Sequence, residues 1–188
     1  IVLFKKWFAT AEKSETNDPN ALSLATSSSD GIPSVRMVLL KGLSDSGFVF
    51  YTNFDSKKGN DLKSNPNASM CFHWKSIRRQ IRISGKVSSV GKDEADKYFA
   101  SRDYGSKISA WASSQSKVMK SRNEFLDKIK EFEKKFSDKN NVPRPPHWSG
   151  WRIIPNQIEF WLEAKNRSHE RLNYRKENGK WIKEVLYP

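Results

Sequence analysis

Short runs in which apolar residues dominate or alternate with polar ones recur along the chain, at the period of two that extended strands require. Ala21 to Thr26 is the first, closed by Ser27-Ser28-Ser29-Asp30-Gly31, whose Asp-Gly step is a strong hairpin signal. Val35 to Leu40 and Gly47 to Thr52 follow, and Ser44-Asp45-Ser46-Gly47 predicts the turn between them. Ala68 to Trp74 and Gln80 to Val90 are two more strands; in the second, Ile81, Ile83 and Val87 alternate around Gly85, which predicts a bulge or sharp bend. Helical patterns interrupt this series. Ser56 to Ser64 is a short helix capped by Asp55 or Ser56, and Lys92 to Arg102 sets Ala95, Tyr98, Phe99 and Arg102 at helical spacing. Ser121-Arg122-Asn123-Glu124 is a capping box opening a helix with Phe125, Ile129, Phe132 and Phe136 on one face, a stripe that core packing explains.

Clustered prolines make Asn141 to Pro146 an extended connector. Strands resume at Trp151 to Ile154 and Gln157 to Leu162, and a last hairpin joins Arg171–Lys176 to Trp181–Leu186 through Asn178-Gly179. Many strands, few helices and no regular β-α alternation predict a mainly β chain with helices (α+β), an antiparallel barrel rather than a doubly wound sheet. Its length of 188 residues suits one domain, residues 1–188, including a C-terminal region at about 141–188.

Composition sharpens this picture. The 11 Phe, 7 Trp and 5 Tyr exclude a disordered chain and point to a small aromatic core under a charged exterior. Cys71 is the only cysteine, so an internal disulfide and a cysteine-based zinc site are excluded; its apolar neighbours suggest a small buried hydrophobe. Ile1-Val2-Leu3-Phe4 runs straight into Lys5-Lys6, too short for a signal peptide, and no apolar stretch approaches the roughly 20 residues of a membrane span. A cytoplasmic protein without membrane association is the expectation. The chain begins without Met, which suggests a missing N-terminal segment. The net charge of +13 is compatible with solubility, with nucleic acid, with an anionic membrane, or with small phosphorylated ligands.

Familiar catalytic signatures are absent. No Gly-x-Gly-x-x-Gly, no Gly-Lys-Ser/Thr loop and no Gly-x-Ser-x-Gly elbow occurs, and His73, His147 and His169 lack metal-ligand spacing, so no metal is expected. Cations set in or beside apolar strands stand out instead. Arg36 and Lys41 bracket Met37-Val38-Leu39-Leu40; Arg78, Arg79 and Arg82 surround Gln80. In an extended segment Arg167, His169 and Arg171 share one face, which suggests an anion held between them; a solvated edge defended by charge is the alternative.

Several ordered motifs resemble the pyridoxine 5'-phosphate oxidase family. They are Arg36-Met-Val-Leu-Leu-Lys41, Phe48-Val-Phe-Tyr51-Thr52-Asn53, Ser56-Lys-Lys58-Gly59, Arg79-Gln80, Tyr98-Phe-Ala-Ser-Arg102, Ala110-Trp-Ala-Ser113 and Gln115-Ser116. Pro143-Arg-Pro-Pro-His-Trp148, Gln157-Ile-Glu-Phe-Trp161 and Arg167-Ser-His169-Glu-Arg171 continue the series, which covers about Asp18 to Pro188. The resemblance implies an FMN-binding split β-barrel, a homodimer with FMN at the subunit interface. The implied activity is oxidation of pyridoxine or pyridoxamine 5'-phosphate to pyridoxal 5'-phosphate, with molecular oxygen as acceptor. It further implies that FMN is bound by Arg36, Met37, Val38, Leu39, Leu40, Lys41, Tyr51, Thr52, Lys57, Lys58, Gln80, Gln115, Ser116, Trp161 and Arg171. The substrate phosphate falls to Lys41, Tyr98, Arg102 and Ser106, while Arg167 and His169 are the implied catalytic residues over the pyridine ring.

Three departures from the family pattern matter. Lys57 stands where Arg is usual, and the two are not equivalent at a phosphate, so weaker FMN binding is expected. Ser168 and Glu170 replace the usual Leu and Asp, and Asp103-Tyr104-Gly105-Ser106-Lys107 replaces a Pro-rich, Gln-ending segment. Three rival readings stand beside the oxidase. They are a split-barrel flavin oxidoreductase for another ring compound, a low-turnover B6-phosphate carrier, and a nucleic-acid-binding module, the last lacking any recognised motif.

Overall fold

The computed structural model describes residues 1–188. Its helices are α1 (Val2–Ser14), α2 (Lys57–Ser64), α3 (Lys92–Ala100), α4 (Tyr104–Ala112) and α5 (Arg122–Lys135). Its strands are β1 (Ala21–Ser27), β2 (Pro33–Leu39), β3 (Gly42–Ser44), β4 (Gly47–Asn53), β5 (Asn67–Trp74), β6 (Arg79–Ser89), β7 (Trp148–Leu162), β8 (Glu170–Glu177) and β9 (Lys180–Leu186). The strands form one nine-stranded sheet in the order β2-β1-β5-β6-β7-β4-β3, with β8 added to β7 and β9 to β8. The β1–β2, β1–β5, β3–β4, β5–β6, β7–β8 and β8–β9 pairings are all antiparallel.

Two compact units divide the chain. The first comprises residues 1–50, 61–88 and 152–188. In it, buried side chains alternate along β1 and β5, placing Leu22, Leu24, Met70, Phe72 and Trp74 in the core. Helix α1 supplies Phe4, fully buried, whose ring lies 4.9 Å from Phe48 and 5.2 Å from Phe72, both edge-on. Edge-to-face contacts of this kind add to the area that the rings bury. The second unit comprises residues 51–60 and 89–151. Its core gathers Phe99, Ile108, Val142 and Trp148, with Trp111, Ile129, Phe132 and Phe136 packed against it. The aromatic stripe of α5 is therefore core.

Most predicted strands and helices fall where the pattern places them, with instructive exceptions. The turn at Ser44–Gly47 joins the short β3 to β4, not β2 to β4, because Gly42–Ser44 pairs with Gly47–Val49. The β5–β6 register runs unbroken past Ala68↔Gly85, so Gly85 is no bulge on that side. Its lack of a side chain serves close packing instead: a Cβ there would lie 2.1 Å from the Ile154 carbonyl oxygen. The two predicted strands at Trp151–Ile154 and Gln157–Leu162 are one strand, β7, since proline's fixed φ is compatible with extended backbone at Pro155.

Helices α1 and α4 were not predicted. Helix α4 carried a signal: Asp103 caps it, accepting from the Ser106 N–H at 2.8 Å. Cys71 is half-buried on the outward side of β5 rather than a core residue. The capping box is half-formed: Ser121 Oγ accepts from the Glu124 N–H at 3.4 Å, while Glu124 reaches the Lys120 N–H at 3.0 Å rather than that of Ser121. At the last hairpin, Asn178 and Gly179 both take positive φ, 49° and 80°, as a tight turn of that type demands.

Candidate active site

Candidate residues occur in both units. In the second, the end of β4 and the start of α2 bring Thr52, Ser56 and Lys58 together with Gln115. Lys58 is 8% exposed, and its Nζ donates to Gln115 Oε1 at 2.8 Å, Thr52 Oγ1 at 3.2 Å and Ser56 Oγ at 3.4 Å. Thr52 Oγ1 also donates to Gln115 Oε1 at 3.1 Å. Ser56 caps α2 by accepting from the Gly59 N–H, so of the two cap candidates the serine fills the role. Gln115 and Ser116 are exposed, and Ser116 holds φ at 70°, a left-handed conformation uncommon for serine and frequent at ligand sites. Lys57 is exposed beside them.

The same unit holds a stack of rings. Tyr51 lies face to face with Tyr98 at 3.9 Å and with Trp148 at 5.3 Å. The guanidinium carbon of Arg102 sits 4.7 Å from the centre of the Trp148 ring and 5.6 Å from that of Phe99, a cation–π arrangement. Arg102 lies beyond the end of α3, which stops at Ala100, so the expected shared helix face with Tyr98 is not what aligns them; the ring stack does. One nitrogen of Arg102, Nη1, is buried without a hydrogen-bond partner. A buried donor without an acceptor is costly, so this N–H is one that an acceptor on a ligand could satisfy. Burial pushes the Tyr98 hydroxyl above its ordinary pKa and the Arg102 guanidinium below its own, with Tyr98 and Asp103 opposing the latter shift. Ser106 is held at the start of α4, where its hydrogen bonds keep the Asp103 carboxyl below the usual carboxylate range.

In the first unit, Arg36 on β2 is committed to the protein. Its Nη1 donates to Thr26 Oγ1 at 2.7 Å and to the Leu24 carbonyl at 3.2 Å, and its Nη2 donates to Ser34 Oγ at 2.6 Å. Asp61, 3% exposed, lies 3.8 Å away and accepts from Thr26. Burial lowers the Arg36 pKa, against the pull of Asp61. Met37 and Leu39 face outward, Val38 is half-buried, Leu40 is buried, and Lys41 is exposed. Gln80 pairs with His73 across β5 and β6 and lies two residues from Arg82, on the same side of the strand.

The β7–β8 region of that unit carries the remaining candidates. Trp161 and Arg171 are register partners. The His169 ring is 4.6 Å from that of Trp161, and its Nδ1 accepts from the Ala164 N–H at 3.3 Å. That bond puts the proton of a neutral ring on Nε2 and makes it a donor. Arg167 does not alternate with His169 and Arg171: it closes a 3₁₀ turn in which Asn166 and Arg167 take φ of 54° and 61°, which breaks the extended geometry the spacing implied. The anion expected among these cations is in part the protein's own. Glu159, missed in the sequence reading, accepts from Arg171 Nε at 2.8 Å and from Arg82 Nη1 at 3.3 Å. The Glu159 hydrogen bond raises the Arg171 pKa.

Each unit carries groups whose chemistry fits a part of FMN. In the second, the Lys58 cluster offers an ammonium, hydroxyls and an amide of the kind a phosphate needs; in the first, Trp161, Gln80 and Arg171 offer an aromatic face and polar groups of the kind a flat ring with a polar edge needs. An antiparallel sheet of this order with such groups is the build of a split-barrel flavoprotein. The crystal structure of PhzG from Burkholderia lata 383 in complex with tetrahydrophenazine-1-carboxylic acid matches with TM-score 0.94 and 33% identity, covering 100% of this chain and 91% of that one. A pyridoxamine 5'-phosphate oxidase-related, FMN-binding protein from Nostoc punctiforme PCC 73102 shares the fold, with TM-score 0.77 at 16% identity over 98% of this chain and 96% of its own. The expected split β-barrel is thereby borne out.

The chain belongs to the pyridoxamine 5'-phosphate oxidase family: that family's model matches residues 9–136, and the pyridoxine 5'-phosphate oxidase C-terminal dimerisation region matches residues 148–188. The second match supports a homodimer. A pyridoxine/pyridoxamine 5'-phosphate oxidase of Pelagibacter ubique (strain HTCC1062) is 58% identical over 100% of this chain and 91% of its own length. A namesake from Sphingopyxis alaskensis is 52% identical over 100% of this chain and 87% of its own. No helix is long and apolar enough to cross a membrane.

Proposed function

We propose that the chain is an FMN-dependent oxidase that converts pyridoxine or pyridoxamine 5'-phosphate to pyridoxal 5'-phosphate. The observation that carries the reading is Arg102, held on Trp148 with a buried N–H left open, beside Tyr98, in a family whose members at 52–58% identity bear this activity in their names. Tyr98, Arg102, Ser106 and Lys41 take the substrate phosphate. Tyr98 is protonated at neutral pH, as a tyrosine ordinarily is, and burial raises its pKa further, so it donates. The FMN phosphate goes to Lys58, Lys57, Gln115, Ser116 and Thr52, and Arg36, whose Nη donors go to Thr26, Ser34 and Leu24, contributes its charge. Strand residues Met37, Val38, Leu39 and Leu40, with Tyr51, Gln80, Trp161 and Arg171, hold the rest of the cofactor. FMN, when bound, supplies the two-electron acceptor, which molecular oxygen reoxidises to give hydrogen peroxide.

The chain's own residues orient and stabilise. His169, with Nε2–H free to donate, and Arg167 would hold the pyridine ring and its C4' substituent against the flavin; the hydride carries both C–H electrons to FMN, and the substituent's proton passes to water. FMN at the subunit interface is part of this proposal. Its support is the apolar strip of β2, where Val35 and Met37 are 69% and 63% exposed, a surface suited to cover by a second subunit. The rival reading, action on a different ring compound, draws on the Burkholderia neighbour, solved in complex with tetrahydrophenazine-1-carboxylic acid, at the lower identity of 33%. Replacing Arg167 and His169 together separates roles: substrate oxidation should fall by about a hundredfold or more while FMN affinity is unchanged. Unaltered turnover in that double variant would contradict the assignment.

A further inference from the structure

Glu159 is a carboxylate with 4% exposure, set in β7 between the core residues Ile158 and Phe160. Such a group is tolerated only when charge and hydrogen bonds meet it, and here two arginines do. Arg171 is anchored twice: Nε donates to Glu159 at 2.8 Å and Nη1 to the Tyr187 carbonyl at 2.9 Å. Two fixed points hold the guanidinium plane in one orientation and leave Nη2 for other contacts. Arg82, more than half exposed, adds a longer bond of 3.3 Å from outside. Arg171 pairs in register with Trp161, so this buried pair lies in the part of the first unit assigned to the flavin ring.

We propose that Glu159 is a positioning residue for the cofactor: it aims Arg171 at FMN and offsets that arginine's charge, and so sets both FMN affinity and the reduction potential of the bound flavin. The inference rests on the reading in which Arg171 touches FMN. Two electrons add negative charge to the flavin, so any uncompensated cation nearby favours reduction. Glu159 restrains that effect; without its charge, Arg171 would act in full. The carboxylate also fixes the rotamer of Arg171, so its loss frees a long side chain that must be ordered again on binding.

Three variants test this, with FMN affinity read by titrating flavin into the flavin-stripped protein and the potential read by reductive titration of the holoprotein. Glu159→Gln keeps the shape and removes the charge. It should weaken FMN binding by about tenfold and shift the potential to more positive values. Glu159→Asp keeps the charge but shortens the arm, so it should weaken FMN binding while leaving the potential near wild type. Arg82→Gln should leave FMN affinity within about twofold, as expected for an exposed ion pair. Wild-type affinity and potential in Glu159→Gln would overturn the inference, as would an equal shift in potential from both Glu159 variants. If Glu159→Gln fails to fold, Glu159→Asp decides: a folded Asp variant with wild-type FMN affinity overturns it. A wild-type protein that takes up no FMN sinks the oxidase reading itself, an outcome distinct from any of these.

Discussion

Three half-buried arginines, Arg171 and Arg36 in the first unit and Arg102 in the second, are held in opposite ways. In residues 152–188, Arg171 leans on Glu159, and in the strands before it Arg36 lies near Asp61 and spends its donors on Thr26, Ser34 and a carbonyl. In residues 89–151, Arg102 rests on aromatic faces and keeps a buried N–H without a partner. A carboxylate satisfies an arginine and fixes its direction; rings support the cation without using its donors. The first arrangement suits contacts that shape a bound cofactor. The second leaves binding capacity for an incoming phosphate, whose charge-assisted hydrogen bonds are among the strong ones.

Removing the open donor should have the largest effect. Arg102→Ala should raise KM for pyridoxine 5'-phosphate by roughly a hundredfold, with kcat and FMN affinity little changed; steady-state kinetics on the FMN-loaded protein checks the split. Lys58→Met comes next. It removes the ammonium from the Thr52–Ser56–Gln115 cluster and should weaken FMN binding by about tenfold or more, with KM unchanged once FMN saturates, as flavin titration and kinetics at high FMN would show. Tyr98→Phe is the mildest. The Tyr98 hydroxyl donates at neutral pH, and because burial raises its pKa that donor is lost only as pH climbs through the raised value, above the ordinary ~10. Substrate affinity should therefore fall at alkaline pH in the wild type, and the Phe variant should start a few-fold weaker and lose that limb of the KM–pH profile.

Much of the fold was legible because strand alternation and turn chemistry are local. The Asn178-Gly179 hairpin, the Ser56 cap and the Phe stripe of α5 all depend on residues a few positions apart. What escaped depends on distant pairing or on one dihedral. Glu159 shows the residue alternation of β7, yet nothing in its spacing reveals that Arg171 and Arg82 arrive beside it from β8 and β6. The Arg167 turn hinges on the left-handed Asn166, a residue type that tolerates that conformation without requiring it. In the sequence Trp148 is only the end of a motif; its role as a platform for Arg102 appears once α3 and the start of β7 meet. The motif resemblance supplied the candidate residues, and the structure adds how several of them are held.

The most direct measurement is anaerobic. Pyridoxine 5'-phosphate is added without oxygen to the purified, FMN-loaded protein while its visible spectrum is followed. The account predicts that the yellow flavin absorbance bleaches on addition and returns when air is admitted. A flavin spectrum that stays unchanged with both pyridoxine and pyridoxamine 5'-phosphate would contradict it.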